Sequence, residues 1–529
     1  MRLIWPSAMR TLDQRTSDEV GLPAALLMES AGRAVADAIA RRLGAEGRGR
    51  LVTVLCGAGN NGGDGFVVAR ELLDRGYRVH AYAVGDPKKL SPAASLHHDA
   101  LCRSGLRPRW AADAPHGHDQ KNLHRSLLRS VAVVDALLGI GPSATLREPL
   151  LGWVTQLDGR HDALKVAIDL PSGLDGATGK ILGAAARVDL VVACAAAKPG
   201  LWLGEGPSTW KELEIVDIGV PRRWLASATP EVTLLDAADA RALAPARPEG
   251  AHKGTFGHLL VVAGSPGRTG AALLAAQAGL RAGAGLLTLA THGEVRSRLE
   301  GQIADLMVEA IRGGAAEAAR VLKLLAGKDA LVVGPGLGTG SAELDLCGRL
   351  CDGFPGPIVL DADALTALAD KPELAASAKG RLVLTPHPGE AARLLGSDVA
   401  SVEADRLAAA RALGQKFGAV VVLKGARTLI VDGEALAICG QPQPALAVGG
   451  SGDVLAGVIG GLLAQGVAPF AAAKLGVHLH NRAGAALARR LGARASTASD
   501  LLLAVATAWG EVDGVAVATA DADAGAEEA

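Results

Sequence analysis

The stretch Leu51-Val-Thr-Val-Leu-Cys56-Gly57-Ala58-Gly59-Asn60-Asn61-Gly62-Gly63-Asp64-Gly65 decides the fold of the first half of the chain. Six apolar or β-branched residues read as a strand buried on both faces, and the glycines that follow turn the chain tightly at its end. The pattern recurs. Arg78–Val84, Val131–Asp135, Val166–Asp169 and Leu190–Ala193 are further short strand runs, with Ala/Leu-rich helical segments between them, led by Pro23–Leu43. Such alternation predicts a parallel sheet with helices on both faces.

Gly57, Gly59 and Gly62 satisfy G-x-G-x-x-G, the turn that carries a dinucleotide pyrophosphate. That fingerprint calls for an acid closing the next strand, and here none appears before Asp86. The adjacent Asn60 and Asn61 point elsewhere: amide oxygens suit a hard cation and glycine N–H groups suit phosphate. Asp135 runs into Gly139-Ile140-Gly141, and Asp169 into Pro171-Ser172-Gly173-Leu174-Asp175. Three strand ends thus supply oxygen-rich loops, where open α/β sheets bind ligands.

Beyond a proline-bearing stretch from Pro221 to about Lys253 the alternation restarts, with strands expected at His258–Ala263, Ala330–Val333, Pro357–Leu360, Arg381–Leu384 and Ala419–Leu423. The loops at their ends are Gly334-Pro335-Gly336-Leu337-Gly338, Thr385-Pro386-His387-Pro388-Gly389-Glu390 and Lys424-Gly425-Ala426-Arg427-Thr428. Last comes Gly449-Gly450-Ser451-Gly452-Asp453, opening a small-residue helix. A helix start attracts anions, and a carboxylate there can take a proton from a hydroxyl beside a phosphate. His387 could orient substrate, Glu390 could serve Mg²⁺ through water, and Lys424 with the amides after it could meet a nucleotide phosphate.

Composition narrows the function. At 529 residues two or more domains are expected. The net charge is -1 and aromatic residues make up 3%, which argues against nucleic acid as a partner. The six cysteines form no C-x-x-C and fit a reduced, cytoplasmic protein. No signal peptide is read at Met1–Pro6, and Leu190–Ala197 is too short to span a bilayer. The Ala/Asp/Glu-rich end, residues 516–529, reads as disordered.

These motifs carry a resemblance. Asn60–Gly65, Val134–Gly139 and Ile168–Gly173, with Leu27-Met28-Glu29-Ser30-Ala31-Gly32, resemble the NAD(P)H-hydrate epimerase domain. The segments from His252 to the Gly449–Asp453 turn, including Asp361-Ala362-Asp363, resemble the ADP-dependent NAD(P)H-hydrate dehydratase of the ribokinase-like superfamily. The resemblance implies an α/β protein of two three-layer sandwiches, Rossmann-like and then ribokinase-like. The expected divisions are an epimerase domain over 1–222, a linker over 223–233 and a dehydratase domain over 234–515.

It implies substrate contacts from Asn60, Asn61, Gly62, Gly63, Asp64, Gly139, Ile140, Gly141 and Asp169 in the first half. In the second half the contacts are Ala271, Gly336, His387 and Asp453. Adenine-nucleotide contacts fall to Lys424, Gly425, Ala426, Arg427, Thr428 and Gly452, and potassium ligation to Asn61, Asp135 and Ser172. Asp453 and Asp169 are the implied catalytic residues; K⁺, Mg²⁺ and the co-substrate ADP are the implied cofactors. NADHX, NADPHX and ADP are the small-molecule partners, with no membrane, and a homo-oligomer is expected. Two positions depart from the family pattern: Ile140-Gly141-Pro142 stands for Thr-Gly-Leu, and Thr366 stands for Asn. The competing expectation is a vitamin-precursor kinase in the second half beside a non-catalytic ligand-binding first half.

Overall fold

The computed structural model describes residues 1–111, 118–141, 144–159, 162–299, 303–311, 320 and 322–514. The chain forms two compact units, one of residues 2–232, the other of Met1 and residues 233 onward.

The first unit is built on seven strands: β1 (Leu51–Cys56), β2 (Arg78–Val84), β3 (Arg109–Ala111), β4 (Ala132–Ala136), β5 (Leu164–Ile168), β6 (Val188–Cys194) and β7 (Trp210–Val216). Their order is β3-β2-β1-β4-β5-β6-β7, and every pairing is parallel. Alternate residues face opposite sides. Val52, Val54, Val134 and Ile168 pack with Val35, Ile39, Phe66 and Val68, from the helices Ala24–Leu43 and Asn60–Asp74. On the other side the Tyr82 hydroxyl meets Ser126 Oγ at 2.8 Å and its ring packs edge-on against Trp153, so the helices His118–Arg129 and Leu150–Asp158 cover that face.

The second unit holds a ten-stranded sheet: β8 (Val232–Leu234), β9 (His258–Val262), β10 (Leu286–His292), β11 (Met307–Ile311), β12 (Ala330–Val333), β13 (Ile358–Leu360), β14 (Leu382–Leu384), β15 (Ala419–Leu423), β16 (Leu429–Asp432) and β17 (Ala435–Ile438). The order is β11-β10-β9-β12-β13-β14-β15-β16-β17-β8, parallel from β11 to β15 and antiparallel through the β15–β16–β17 meander. The core of one face joins Leu259, Val261, Val332 and Val359 to the helices Thr269–Arg281, Ser451–Ala464 and Pro469–Leu491.

The stretch after Pro221 is more regular than its prolines suggest. It contains the helix Arg222–Ala226, strand β8 and the helix Ala237–Leu243, whose start is closed by reciprocal Asp236 and Asp239 caps. All six cysteines are free thiols. Among the described residues no helix is long and apolar enough to cross a membrane. Pro142 and residues 516–529 lie outside the described residues.

Candidate functional site

In the first unit the strand order reverses between β1 and β4, so the turns after these strands diverge and leave a crevice at their carboxyl ends. A cavity of about 750 Å³ occupies it, lined among others by Asn60, Asn61, Asp64, Gly139, Ile140, Gly141 and Asp169. The Asn60–Gly65 segment is the first helical turn rather than a loop, with Gly59 as the N-cap. Glycine is required because the backbone closes on itself: a Cβ on Gly62 would lie 1.8 Å from the Gly57 carbonyl oxygen, and one on Gly57 would lie 1.9 Å from that of Leu137. Gly62 and Gly63 are buried and pack the turn, which leaves the two asparagines and Asp64 to face the cavity.

Asp135 and Ser172 meet beneath this surface. Ser172 donates its backbone N–H to Asp135 Oδ2 at 2.8 Å and its hydroxyl to Asp135 Oδ1 at 2.5 Å, and both residues are fully buried. Burial raises the Asp135 pKa to about 6 although these hydrogen bonds favour the ion. The Asn61 side chain stands beside Gly139, where an added Cβ would lie 3.3 Å from Asn61 Oδ1. Its buried Nδ2 has no hydrogen-bond partner among the described residues. All three residues are oxygen donors if the Asn61 amide turns.

Asp169 follows β5 with φ at +69°, a left-handed conformation uncommon outside glycine. Its carboxylate accepts the Cys194 N–H at 3.0 Å and the ammonium of Lys198, a lysine buried completely. The Asp64 carboxyl is pushed well above the usual range by burial and by the nearby Asp169 and Asp13. Asp13 is raised to about 6, by burial first and by Asp169, with Lys198 opposing. Asp13 and Lys198 both line the cavity, and sequence reasoning had passed over them. The available signal for Lys198 was a lone lysine closing an apolar run, Leu190–Ala197; for Asp13 there was none.

In the second unit the order reverses between β9 and β12, and Asp361 after β13, Glu390 after β14 and Lys424 after β15 act on Asp453 at the start of the helix Ser451–Ala464. Gly450 caps that helix at φ +89°, which places Asp453 in the first turn. The Asp453 pKa rises to about 7 through burial and the neighbouring Asp361, Asp363 and Glu390, with Lys424 opposing. Lys424 turns inward to this cluster: a Cβ on Gly452 would lie 3.2 Å from its Nζ. Burial works against its charge, yet Asp361 and Glu390 hold its pKa above the ordinary lysine value.

Gly336 and Ala271 are neighbours, 3.1 Å separating Ala271 Cβ from a Cβ built on Gly336, whose φ is +57°. His387 caps its own helix. Its Nδ1 accepts the Gly389 N–H at 3.0 Å, Glu390 Oε2 accepts the His387 N–H at 2.8 Å, and Nε2 stands exposed 3.5 Å from Glu390 Oε1. Gly425–Thr428 forms the turn between β15 and β16, with the Thr428 hydroxyl on the Gly425 carbonyl at 3.3 Å. Two supports were invisible in the sequence. Arg406 donates to the Leu423 and Lys424 carbonyls at 3.2 and 3.0 Å. His480 Nε2 lies 3.0 Å from the Ser451 carbonyl oxygen and 3.1 Å from its hydroxyl; burial lowers the His480 pKa to about 4, so the neutral ring donates to the carbonyl.

Fold and sites together define a two-unit α/β enzyme with a cavity at the strand ends of the first unit and a charged cluster at a helix start in the second. Residues 24–200 match the family described as YjeF-related protein N-terminus, and residues 259–506 match NAD(P)H-hydrate dehydratase. The bifunctional NAD(P)H-hydrate repair enzyme Nnr of Moorella thermoacetica is 39% identical over 510 residues, covering 95% of each chain. That of Escherichia coli is 36% identical over 502 residues, covering 93% of this chain and 91% of its own. Among solved structures, the ADP/ATP-dependent NAD(P)H-hydrate dehydratase of Bacillus subtilis, co-crystallized with ATP/Mg²⁺, matches at 27% identity with a TM-score of 0.47, covering 54% of this chain and all of its own. The chain belongs to the bifunctional NAD(P)H-hydrate repair enzyme family.

Proposed function

We infer that this chain repairs hydrated NADH and NADPH: it interconverts the R and S hydrates at C6 and dehydrates the S form with ADP. Family membership along nearly the whole chain supports this reading over a vitamin-precursor kinase with an inert partner module. We assign exchange of the epimers to residues 2–232 and dehydration to the unit from 233 onward, following the division of the fold.

The observation that carries the dehydratase assignment is Asp453 at the helix start beside Lys424, its pKa near neutrality. As the carboxylate it takes the proton of the C6 hydroxyl while the oxygen attacks the terminal phosphoryl of ADP, releasing AMP. The turn amides at Gly450–Gly452 and Lys424 meet the charge on the transferred group. Phosphate then departs with its C–O electron pair, assisted by the ring nitrogen lone pair, and loss of the C5 proton restores the dihydropyridine. Gly336, Ala271 and His387 would face the hydrate, and Gly425–Thr428 with Gly452 the nucleotide.

Among the described residues no three His, Cys, Asp or Glu side chains gather as a metal cage. That suits Mg²⁺ held chiefly by nucleotide phosphates and water, with Glu390 as an outer partner. In the first unit Asn61, Asp135 and Ser172 would hold K⁺, for which an oxygen-only set and an unpartnered buried amide are fitting. Such an ion supplies positive charge beside buried carboxylates. Asn60, Asp64, the Gly139–Gly141 turn and Asp169 would line the hydrate, with Asp169 a participant in the reaction through its charge. Incubating purified protein with mixed R and S NADHX and ADP restores NADH absorbance in full if this reading holds; ATP-dependent phosphorylation of a stable alcohol instead would overturn it.

A further inference from the structure

The helix Pro6–Glu19 lies outside the matched stretch 24–200, yet Met9, Arg10, Asp13, Gln14 and Ser17 from it line the cavity of the first unit. Met9, Leu12 and Thr16 are buried and anchor the helix, while Arg10 Nη1 donates to the Ile140 carbonyl at 2.8 Å and ties it to the turn after β4. Asp13 is thereby held in the cavity wall.

Its Oδ1 is buried and has no hydrogen-bond partner among the described residues. A buried carboxyl oxygen without a donor is costly and uncommon in native folds, and it requires a ligand, water or a retained proton to explain it. The groups that act on it are the Lys198 ammonium and the Asp169 carboxylate, and Asp64 feels the same set. Lys198 is already committed to Asp169 and to the Cys194 carbonyl at 3.3 Å. Two carboxyls, Asp13 and Asp64, therefore share a buried pocket in which, among the described residues, neither has an ion pair of its own, and like charges so placed do not both ionise. Burial and Asp169 move Asp13 to about 6, so the cluster keeps a transferable proton close to neutral pH.

We propose that Asp13 is a catalytic acid–base residue of the exchange between R and S hydrates, a role that rests on assigning that exchange to this cavity. The Asp13 carboxyl gives its proton to the C6 hydroxyl. The C6–O bond breaks with its electron pair on oxygen and water leaves, while the ring nitrogen lone pair forms the N1=C6 bond of a cyclic iminium ion. Water then adds to the opposite face of C6, the iminium electrons return to nitrogen, and Asp13 recovers a proton from the added water. Atoms and charge close over the cycle, and no oxidant or reductant enters. The Asp169 carboxylate in the same cavity favours the cationic intermediate over the neutral hydrate.

The test is steady-state R-to-S exchange by the full chain without ADP, followed by chromatography from pH 5 to 9 with the protein-free rate subtracted. Wild-type kcat should fall as pH rises through about 6, since the protonated carboxyl is the active form. Asp13→Asn should lower kcat by about 100-fold or more, leave KM within about threefold and erase that inflection. Asp13→Glu should restore part of the rate together with a pH inflection, a result that loss of packing alone would not give. Wild-type kcat with the inflection intact in Asp13→Asn overturns the proposal, as does a loss expressed in KM alone. A wild-type chain that fails to exchange the epimers at any pH overturns instead the assignment of the cavity. The Asn change keeps the side-chain size, and the pH profile of the wild type tests the role even where a variant folds poorly.

Discussion

Lys424 Nζ donates to Asp361 Oδ1 at 2.9 Å, and the Thr385 hydroxyl donates to the same oxygen at 2.7 Å, so one buried carboxylate oxygen organises the cation of the second unit. Glu390 Oε2 stands 3.7 Å from the same ammonium. The lysine beside the helix start is thus held by charge before any phosphate arrives.

Asp361→Asn should therefore harm both stability and chemistry. It leaves a largely buried ammonium with a weaker partner, which costs about 3 kcal/mol. The calorimetric transition of the second unit should move down, and dehydration should fall about tenfold or more as Lys424 loses its position. An unchanged transition with full activity would contradict the organising role.

Asp453→Asn should abolish dehydration by about three orders of magnitude while R–S exchange persists. In the wild type, dehydration should decline as pH falls through about 7, because the carboxylate is the base. Stability moves the other way. With the folded pKa above the unfolded one, ionisation opposes folding from about pH 4 upward, fully so above about 7. The Asn variant should then melt higher than wild type at pH 8 and show no gain at pH 3.

Replacing potassium by a bulky organic cation should slow R–S exchange several-fold, and Asp135→Ala should reproduce the loss in potassium. Ser172 donates two hydrogen bonds to Asp135, so the alanine variant also leaves the buried Ser172 N–H without its acceptor, and its melting temperature must be read beside its rate. Equal exchange rates in both cations would dismiss the ion.

Fragments cut beside the division of the fold with β8 kept whole, 2–231 and 232–529, should fold separately and retain exchange and dehydration respectively. Mixed in one tube they should repair the R hydrate completely. An insoluble first fragment, or a soluble one without exchange, would defeat this division.

Much was legible in the residues themselves. Leu51–Cys56, Ala330–Val333 and Ala419–Leu423 are strands over the bounds their apolar runs suggest, because a strand covered on both faces must be apolar nearly throughout. Strand β7 was missed for the opposite reason: it lies at a sheet edge, where the charged Lys211, Glu212 and Glu214 are tolerated and break the apolar run. The hairpin of β16 and β17 and the first helix carry no chemical motif, and their place comes from what they pack against.

The candidate sites divide the same way. Glycines with no room for a Cβ, asparagines at a helix start and acids at strand ends announce themselves in sequence, since local backbone geometry alone demands them. By itself the sequence therefore determined two α/β units and the turns at which their ligands bind. Only the tertiary structure decided that Asp13, Asp64, Asp169 and Lys198 share one pocket, and that Lys424 meets Asp361 and Glu390. Those side chains stand on elements far apart in the chain, and the charge each carries depends on burial and neighbours, which no local stretch of residues contains.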